Sequence, residues 1–205
     1  MIEKSSYSLD YQDLFVLLLL NNQNNGKFID IGSYHPVEGN NTYLLEKFNW
    51  SGVCIEYDNS FIEEYKKRNC LFLNTNAFNV DYTKLFKYLN FGDCIDYLSL
   101  DIDENSTDLL NQIPFDLIKF KIITIEHDEY IHGNRYKSVQ RNFLNKNGYK
   151  LLFGNVYAEQ KSEIYGKERS YEDWWIHPDY INFNLFNPKE NIYPSEIIKL
   201  LKSSL

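Results

Sequence analysis

The chain of 205 residues is 43% hydrophobic and 24% charged, which is typical of a globular protein. Its formal net charge of −8 and pI near 5.0 argue against nucleic acid as a partner, because binding to phosphates requires clustered Lys and Arg. The apolar run from Leu14 to Leu20 is too short to span a bilayer, which takes about 20 residues. Three cysteines without a CxxC pair predict reduced thiols. We therefore expect one domain, residues 1–205, in the cytoplasm and without membrane insertion.

The N-terminal segment, residues 1–26, contains a predicted helix. Asp10 is a candidate N-cap, and apolar residues follow on nearly every side of a helix that ends at Leu20. A polar NNQNNG stretch then leads to Gly26. This pattern predicts a buried helix that packs against a sheet.

The stretch from Lys27 to Thr42, KFIDIGSYHPVEGNNT, predicts a strand, a tight turn and the start of a helix. The apolar strand leads into Asp30 and Gly32, and a glycine lets the backbone turn tightly while leaving room for a ligand. The Asn-Thr pair at 41–42 begins a helix whose unpaired N–H groups suit a carboxylate or phosphate. Open α/β sheets bind nucleotides at such carboxyl ends of strands.

Strands and helices alternate five times up to residue 148. Predicted strands cover 28–31, 53–55, 70–73, 97–100 and 122–125, and predicted helices cover 42–48, 60–68, 81–89, 106–112 and 134–147. Ser60 and Glu63 fit a capping box, and Gly148 suits the position just after a helix. The alternation predicts a Rossmann-like, doubly wound, mostly parallel sheet.

The pattern changes beyond Tyr149. Two further strands, at 151–153 and 171–177, are joined by a charged loop at 159–169 and predict an antiparallel C-terminal edge of the sheet. Pro194 begins a short terminal helix. The predicted core therefore covers residues 27–178, and residues 179–205 form a tail.

Polar side chains follow the second to fifth predicted strands. Glu56 follows Gly32 by about 20 residues, the spacing at which an acid binds the ribose hydroxyls in Rossmann-type units. Asn74 and Asn76, after the third strand, are candidates for hydrogen bonds to an adenine ring, although asparagines in loops are usually turn formers. Acids that need water or a cation follow the next two strands: Asp101, Asp103, Glu104, Glu126 and Asp128.

Four of these acids are also candidate metal ligands. Asp101 and Asp103 would meet Glu126 and Asp128 at neighbouring strand ends. Oxygen ligands suit Mg²⁺, which would acidify a sugar hydroxyl. The alternative is that these acids cap helices or face water.

Six segments taken in order resemble the FkbM-type methyltransferases, a branch of the S-adenosylmethionine (SAM)-dependent class with a Rossmann-like fold: FIDIGSYHP, NNTYLLEKFNWSGVCIE, DYLSLDID, IITIEHDEY, NKNGYKLLF and YEDWWIHP. The similarity runs from about Tyr7 to Pro178 and implies that SAM binds at the carboxyl ends of the first strands. Matches to the family's cofactor positions are Asp30, Gly32 and Ser33 in the glycine motif, Asn41 and Thr42 near the methionine moiety, Glu56 on the ribose, and Asp101 beside the methyl donor.

The resemblance also implies an acceptor side. Glu126 and His127 match a pair that faces the acceptor, and the run at 172–174 matches a motif at the far wall of the site. Two positions depart from the family's pattern. Glu104 stands where a glycine is usual, which bears on the acceptor pocket, and His35-Pro36 replaces a second close glycine, which bears on the course of the loop.

The leading hypothesis is a SAM-dependent O-methyltransferase that acts on a hydroxyl of a carbohydrate or another small hydroxylated molecule. A hydroxyl must lose a proton, and His127 is the first candidate base and His35 the second, because imidazole titrates near pH ~6.5. Asp101 and Glu126 are the other candidate catalytic residues. The tryptophans at 174 and 175 either stack on a sugar ring or belong to the core.

Two other functions fit the sequence. One is a binding or scaffold protein that kept the fold and lost activity. The other is a nucleotide-sugar oxidoreductase, which the missing GxGxxG motif disfavours because a dinucleotide's pyrophosphate needs those glycines. The sequence predicts no oligomeric state.

Overall fold

The computed structural model describes residues 5–159 and 169–204, and within these ranges eight strands form one sheet. The strands are β1 (Lys27–Ile31), β2 (Ser51–Glu56), β3 (Leu71–Asn74), β4 (Cys94–Leu100), β5 (Lys119–Glu126), β6 (Lys150–Tyr157), β7 (Ser170–Ile176) and β8 (Lys189–Ile192). Their order across the sheet is β3-β2-β1-β4-β5-β7-β6-β8. Neighbouring strands are parallel except where β7 runs antiparallel to β5 and β6.

Helices pack on both faces of the sheet. They are α1 (Gln12–Leu19), α2 (Tyr43–Glu46), α3 (Ile62–Tyr65), α4 (Tyr82–Leu89), α5 (Ser106–Leu109), α6 (Glu129–His132), α7 (Arg135–Lys146) and α8 (Pro194–Ser204). Apolar residues of α1, α2 and α8 share one core cluster with β1, β6 and β7, whereas those of α4, α5 and α7 share a second cluster on the opposite face. Successive residues of β1 show the division, because Phe28 belongs to the first cluster and Ile29 to the second. The result is a three-layer α/β/α arrangement.

The structure confirms the predicted fold class, a doubly wound and mostly parallel sheet with antiparallel pairing on its C-terminal side. The antiparallel strand is β7, which lies inside the sheet between β5 and β6. The tail adds β8, which pairs in parallel with β6 and which the sequence did not predict. The predicted charged loop lies largely outside the described residues. No helix in the described ranges is long and apolar enough to cross a membrane.

The predicted starts of two helices are wrong. Asp10 does not cap α1, whose N-cap is Tyr11 in a left-handed conformation without a side-chain hydrogen bond. The Ser60 capping box is absent, because Asp58 accepts a hydrogen bond from the Ser60 N–H and caps a 3-10 turn there. The predicted glycine after α7 is confirmed, since Gly148 has a φ of +90°.

Parallel pairing brings the carboxyl ends of β1, β2, β4 and β5 to one edge of the sheet. The polar residues that follow these strands therefore meet at that edge, as the sequence predicted.

Candidate functional site

A cavity of about 640 Å³ opens at the carboxyl ends of β1, β2 and β4. Its walls come from the turn after β1, the residues after β2 and β3, and the start of the loop after β4. The lining residues that bear on function are Asp30, Gly32, Ser33, Asn41, Glu56, Tyr57, Asn76, Phe78, Asp101 and Asp103. Seven of the nine predicted cofactor positions thus line this cavity. Of the other two, Thr42 is buried behind the wall and Asn74 lies outside the cavity.

The turn after β1 requires glycine for two reasons. Gly32 has a φ of +80°, which L side chains rarely adopt. A Cβ at this position would lie only 1.7 Å from the carbonyl oxygen of Asp101. The Gly32 N–H donates to the Ile55 carbonyl at 2.9 Å, which ties the turn to the end of β2. The turn, β2 and the loop after β4 therefore form one fixed backbone unit.

A buried arginine holds the loop that follows this turn. Arg68 donates to the Pro36 carbonyl at 2.5 Å, to Asn40 Oδ1 at 3.1 Å and to Thr42 Oγ1 at 3.2 Å. Its guanidinium also pairs with Glu46 at 2.9 Å, and the two side chains are 1% and 6% exposed. These bonds fix the loop at 36–42. Arg68 therefore holds the loop in a chain that has His35-Pro36 where the resembling family has a second glycine.

The same network reaches the cavity through Thr42. Thr42 is completely buried and donates to Asp30 Oδ2 at 2.8 Å, so it supports the wall without lining it. Burial raises the pKa of Asp30 to about 6, and the Thr42 bond and the Arg68 charge limit the rise. Ser33 is held in turn, since its Oγ accepts from the Tyr65 hydroxyl at 2.8 Å.

Glu56 presents a fixed carboxylate to the cavity. It is 6% exposed, and its two oxygens accept from the Tyr34 and Asp58 N–H groups at 2.8 Å each. A carboxylate has about four acceptor positions, so positions remain for hydroxyl donors. Asn74 lies outside the cavity and donates to the Glu56 and Asp58 carbonyls, which makes it a support for the turn after β2.

The apolar part of this cavity was missed in the sequence. Tyr57 and Phe78 line it, and the Tyr57 side chain is 77% exposed. Asn76 also lines it and accepts from the Phe78 N–H at 2.9 Å. An aromatic residue directly after the Glu56 position was the available signal, because a flat ligand ring packs well against an aromatic side chain.

A second cavity of about 260 Å³ adjoins the first. Leu9, Gly39, Asn41 and Asp101 line both, so the two spaces meet at these residues. The other residues that line the second cavity are Asp10, Gln12, Glu126, Tyr130, Ala158, Arg169 and Tyr171. The segment before α1 thus forms part of the site, which no local sequence pattern indicated.

Asp101 and Glu126 form a carboxyl pair where the cavities meet. Hydrogen bonding between the two side chains lowers the pKa of Asp101 and raises that of Glu126. Burial raises the pKa of Asp101, and burial together with the Asp101 charge raises that of Glu126 well above its usual range. Glu126 also accepts from the Asp103 N–H at 2.9 Å. This pair can accept a proton from a group placed beside it.

Three of the four candidate metal ligands come together. One carboxylate oxygen from each of Asp103, Glu126 and Asp128 lies within 4.8 Å of the others, while Asp101 is outside that group. Burial and the neighbouring acids raise the pKa of Asp128 to about 6. Proton uptake is therefore one way in which this cluster is neutralised, and Mg²⁺ binding stays a prediction.

Neither histidine is placed as the sequence predicted. His127 is completely buried, its Nδ1 accepts from the Glu129 N–H at 3.2 Å, and its Nε2 lies 3.4 Å from Asp173 Oδ1. His35 Nδ1 accepts from the Glu38 N–H at 2.8 Å and so closes a turn. Neither side chain lines either cavity, and we correct their placement beside an acceptor.

The predicted far wall is also different. Trp174 and Trp175 are completely buried in opposite core clusters, so they do not stack on a ligand. Asp173 is buried and binds Arg141 at 2.7 Å. Burial opposes its ionisation, but the bonds from Arg141 and the contact with His127 outweigh burial and lower its pKa to about 2. The far wall is instead formed by Tyr171, which lines the second cavity.

Glu104, which stands where the resembling family usually has glycine, does not obstruct either cavity. Its carboxylate lies on the outside, 4.0 Å from His132 Nε2, and it lines neither cavity. Glutamate in place of glycine therefore does not block ligand access in this conformation.

The fold is that of the class I SAM-dependent methyltransferases. It is defined by the strand order, in which the antiparallel β7 lies between β5 and β6, and by the cavity at the carboxyl ends of the first strands. Among solved structures, a proposed hemolysin from Lactococcus lactis matches with a TM-score of 0.55, at 12% identity over 98% of this chain and 100% of that one. The cofactor-bound Rv0187 from MTB matches with a TM-score of 0.53, at 14% identity over 88% and 83%. A proposed hemolysin from Streptococcus thermophilus matches with a TM-score of 0.50, at 13% identity over 100% and 76%.

These identities are low, so the three likenesses establish the fold alone. No protein-family model matches the chain, and no curated protein matches it.

Proposed function

We propose that the protein is a SAM-dependent methyltransferase of the FkbM type that methylates a hydroxyl of a carbohydrate or another small hydroxylated molecule. The observation that carries this proposal is the pair of adjoining cavities that meet at Asp101. The larger has the features that SAM needs, and the smaller has room for a separate acceptor. The family assignment rests on the sequence resemblance.

The residues of the larger cavity fit SAM. Glu56 would accept hydrogen bonds from the ribose hydroxyls, and Tyr57 and Phe78 would pack against the adenine ring. Gly32 forms the tight turn that lines the cavity beside the proposed position of the methionine moiety. Asp30 and Asp101 place negative charge where the cofactor carries its sulfonium, which favours binding electrostatically.

Bound SAM would supply an electrophilic methyl group, and the protein positions the acceptor and removes its proton. Orientation can contribute roughly 7–11 kcal/mol to such a displacement. The carboxylate of the Asp101–Glu126 pair would accept the proton that the acceptor hydroxyl loses on methylation. A general base contributes about 10²–10⁴ in rate. This pair takes the role that the sequence assigned to His127.

The test is calorimetric titration with SAM, NAD and UDP-glucose, each with and without Mg²⁺. We expect micromolar binding of SAM and none of NAD or UDP-glucose. Glu56→Gln should weaken SAM binding by about 1–3 kcal/mol, because a buried acceptor to the ribose is lost. Glu63→Gln is the matched control, since Glu63 lies on an exposed helix, with its side chain 77% exposed.

The outcomes separate the candidate functions. Failure to bind SAM under either condition would overturn the proposal. SAM binding without methyl transfer to any hydroxylated acceptor would favour the binding or scaffold protein. Binding that requires Mg²⁺ would assign the cation to the acids at 103, 126 and 128.

A further inference from the structure

The second cavity is lined by several hydrogen-bond acceptors, and the donors of Tyr171 and Gln12 beside them are already used. Tyr171 donates its only hydroxyl proton to Asp10 Oδ2 at 2.6 Å. Gln12 uses its amide N–H groups on the Tyr171 hydroxyl at 3.1 Å and on Glu172 Oε2 at 3.0 Å. Tyr130 is in side-chain hydrogen-bond contact with Asp128. The acids that line this space keep unused lone pairs, so a ligand must donate to them.

Asp10 occupies a fixed position in this wall. It is 5% exposed, and its second oxygen accepts from the Glu159 N–H at 2.6 Å. The chain enters from a bridge between Ser8 and Gly39, and it leaves through Tyr11, whose φ is +63°. Asp10 therefore joins the segment before α1 to β7 and to the chain just after β6, and it lines the same cavity as Asp101.

The charges around the cavity disfavour an anionic acceptor. The acids Asp10, Asp101 and Glu126 outnumber Arg169, the one arginine or lysine among the described residues that line the cavity, so a phosphate or carboxylate on the acceptor would on balance be repelled. Arg169 lies in the same wall and lowers the pKa of Asp10 by its charge, against the larger effect of burial. A cationic acceptor would face Arg169 and the sulfonium in the adjoining cavity.

We propose that Asp10 is a specificity-determining residue for the methyl acceptor, which is a small uncharged polyol. Asp10 accepts a hydrogen bond from one hydroxyl of the polyol, and the reacting hydroxyl lies against the Asp101–Glu126 pair. Acceptors that carry an anionic group are rejected. This inference rests on the proposed function, because it assigns the second cavity to the methyl acceptor. The volume of about 260 Å³ limits the bound part of the acceptor to roughly one sugar ring.

The experiment titrates the protein, saturated with S-adenosylhomocysteine, with four probes of similar size: methyl α-D-glucopyranoside, gluconate, glucose 6-phosphate and glucosamine. We expect the neutral glucoside to bind at least tenfold more tightly than either anionic probe, gluconate or glucose 6-phosphate. Asp10→Asn should lower glucoside affinity at least tenfold and should narrow the preference for the glucoside over gluconate. Asp116→Asn, an exposed position outside both cavities, is the matched control and should change neither value.

The ratio of the probe affinities distinguishes a variant that folds poorly from one that has lost selectivity. A variant that merely folds poorly binds every probe more weakly and keeps the ratio of their affinities, whereas the proposal requires that ratio to change. The inference is overturned if the glucoside does not bind, if an anionic probe binds as tightly, or if Asp10→Asn keeps the ratio. Each of these results with SAM binding intact would leave the proposed function standing, and loss of SAM binding would overturn the proposed function itself.

Discussion

The two adjoining cavities are built in different ways. The larger is fixed by backbone: a glycine turn, strand ends, and peptide N–H groups that hold Glu56. The smaller is assembled from side chains of distant segments, with Asp10 and Gln12 before and within α1, Glu126 at the end of β5, and Tyr171 in β7. A wall made of backbone, as in the larger cavity, needs particular residues at particular spacings. A wall made of side chains, as in the smaller cavity, can be built from many combinations of residues. Variants that affect one cavity and spare the other test this difference.

The largest expected effect is at the turn after β1. Gly32→Ala places a Cβ 1.7 Å from the Asp101 carbonyl oxygen, so we expect loss of SAM binding by at least 100-fold or failure to fold. The control is Gly92→Ala, because Gly92 also has a positive φ, +84°, but has nothing within 4 Å of the added Cβ. That variant should lose only about 1–2 kcal/mol, from strain, in thermal unfolding. Equal behaviour of the two variants would refute the close approach.

The second effect compares two arginines that pair with buried acids, the buried Arg68 and the half-buried Arg141. Arg68→Met leaves Glu46 unpaired and releases the loop at 36–42, so we expect a loss of about 3–5 kcal/mol of unfolding free energy and weaker SAM binding. Arg141→Met breaks the pair with Asp173 on the other side of the sheet and should also reduce stability, because the Asp173 side chain is completely buried and loses this partner. Its SAM affinity should stay unchanged. Denaturant unfolding and calorimetry measure both quantities, and a loss of SAM affinity in both variants would contradict the separation.

The third effect is a pH dependence that originates behind the smaller cavity. Burial, with the Asp101 and Asp10 charges, raises the pKa of Glu172 from 4.5 to about 8, although Trp174 and Gln12 donate hydrogen bonds to it. A carboxyl whose pKa is higher in the folded state holds its proton there, so stability falls as pH rises from about 4.5 to about 8. The slope is roughly 1.4 kcal/mol per pH unit for one proton.

Glu172→Gln should flatten this dependence, because the amide keeps the shape and does not ionise. Thermal unfolding at pH 5, 7 and 9 measures it, with Glu63→Gln as the exposed control. A wild-type protein whose stability is constant from pH 5 to pH 9 would show that Glu172 does not titrate as expected.

The smallest expected effect is at the aromatic wall of the larger cavity. Tyr57→Ala removes a ring from the proposed adenine position, and we expect SAM affinity to fall by about 0.5–1.5 kcal/mol. Tyr88→Ala is matched in exposure, since both side chains are 77% exposed, and it lies outside both cavities. Calorimetric titration should separate the two variants. Unchanged affinity in Tyr57→Ala would remove this residue from the cofactor site.

Local sequence was enough to predict the sheet and most residues of the larger cavity. Alternating apolar strands and helices define the parallel order, and Gly32 and Glu56 stand at spacings set by the backbone itself. The sequence predicted side-chain positions less well where they depend on packing between segments that are far apart in the chain. His127 follows β5 as expected, yet the pairing of β5 with β7 brings Asp173 and Arg141 around it and closes it from the cavity.

The N-terminal part of the site was missed for the same reason. Asp10 precedes an apolar helix and so fitted the role of an N-cap. Its actual partners, Tyr171 and the Glu159 N–H, are about 150 or more positions away along the chain. No local pattern contains that information.

The position of β7 has a consequence for the order in which the protein folds. Strand β6 precedes β7 in the chain, but β7 lies between β5 and β6 in the sheet. Strand β6 is therefore attached to the first five strands only through β7, whose pairing with β5 is non-local and so slow. During synthesis the strands around the larger cavity emerge first, and they can pair before Tyr171 leaves the ribosome. The smaller cavity is then completed in one of the last steps of folding, when β7 is inserted.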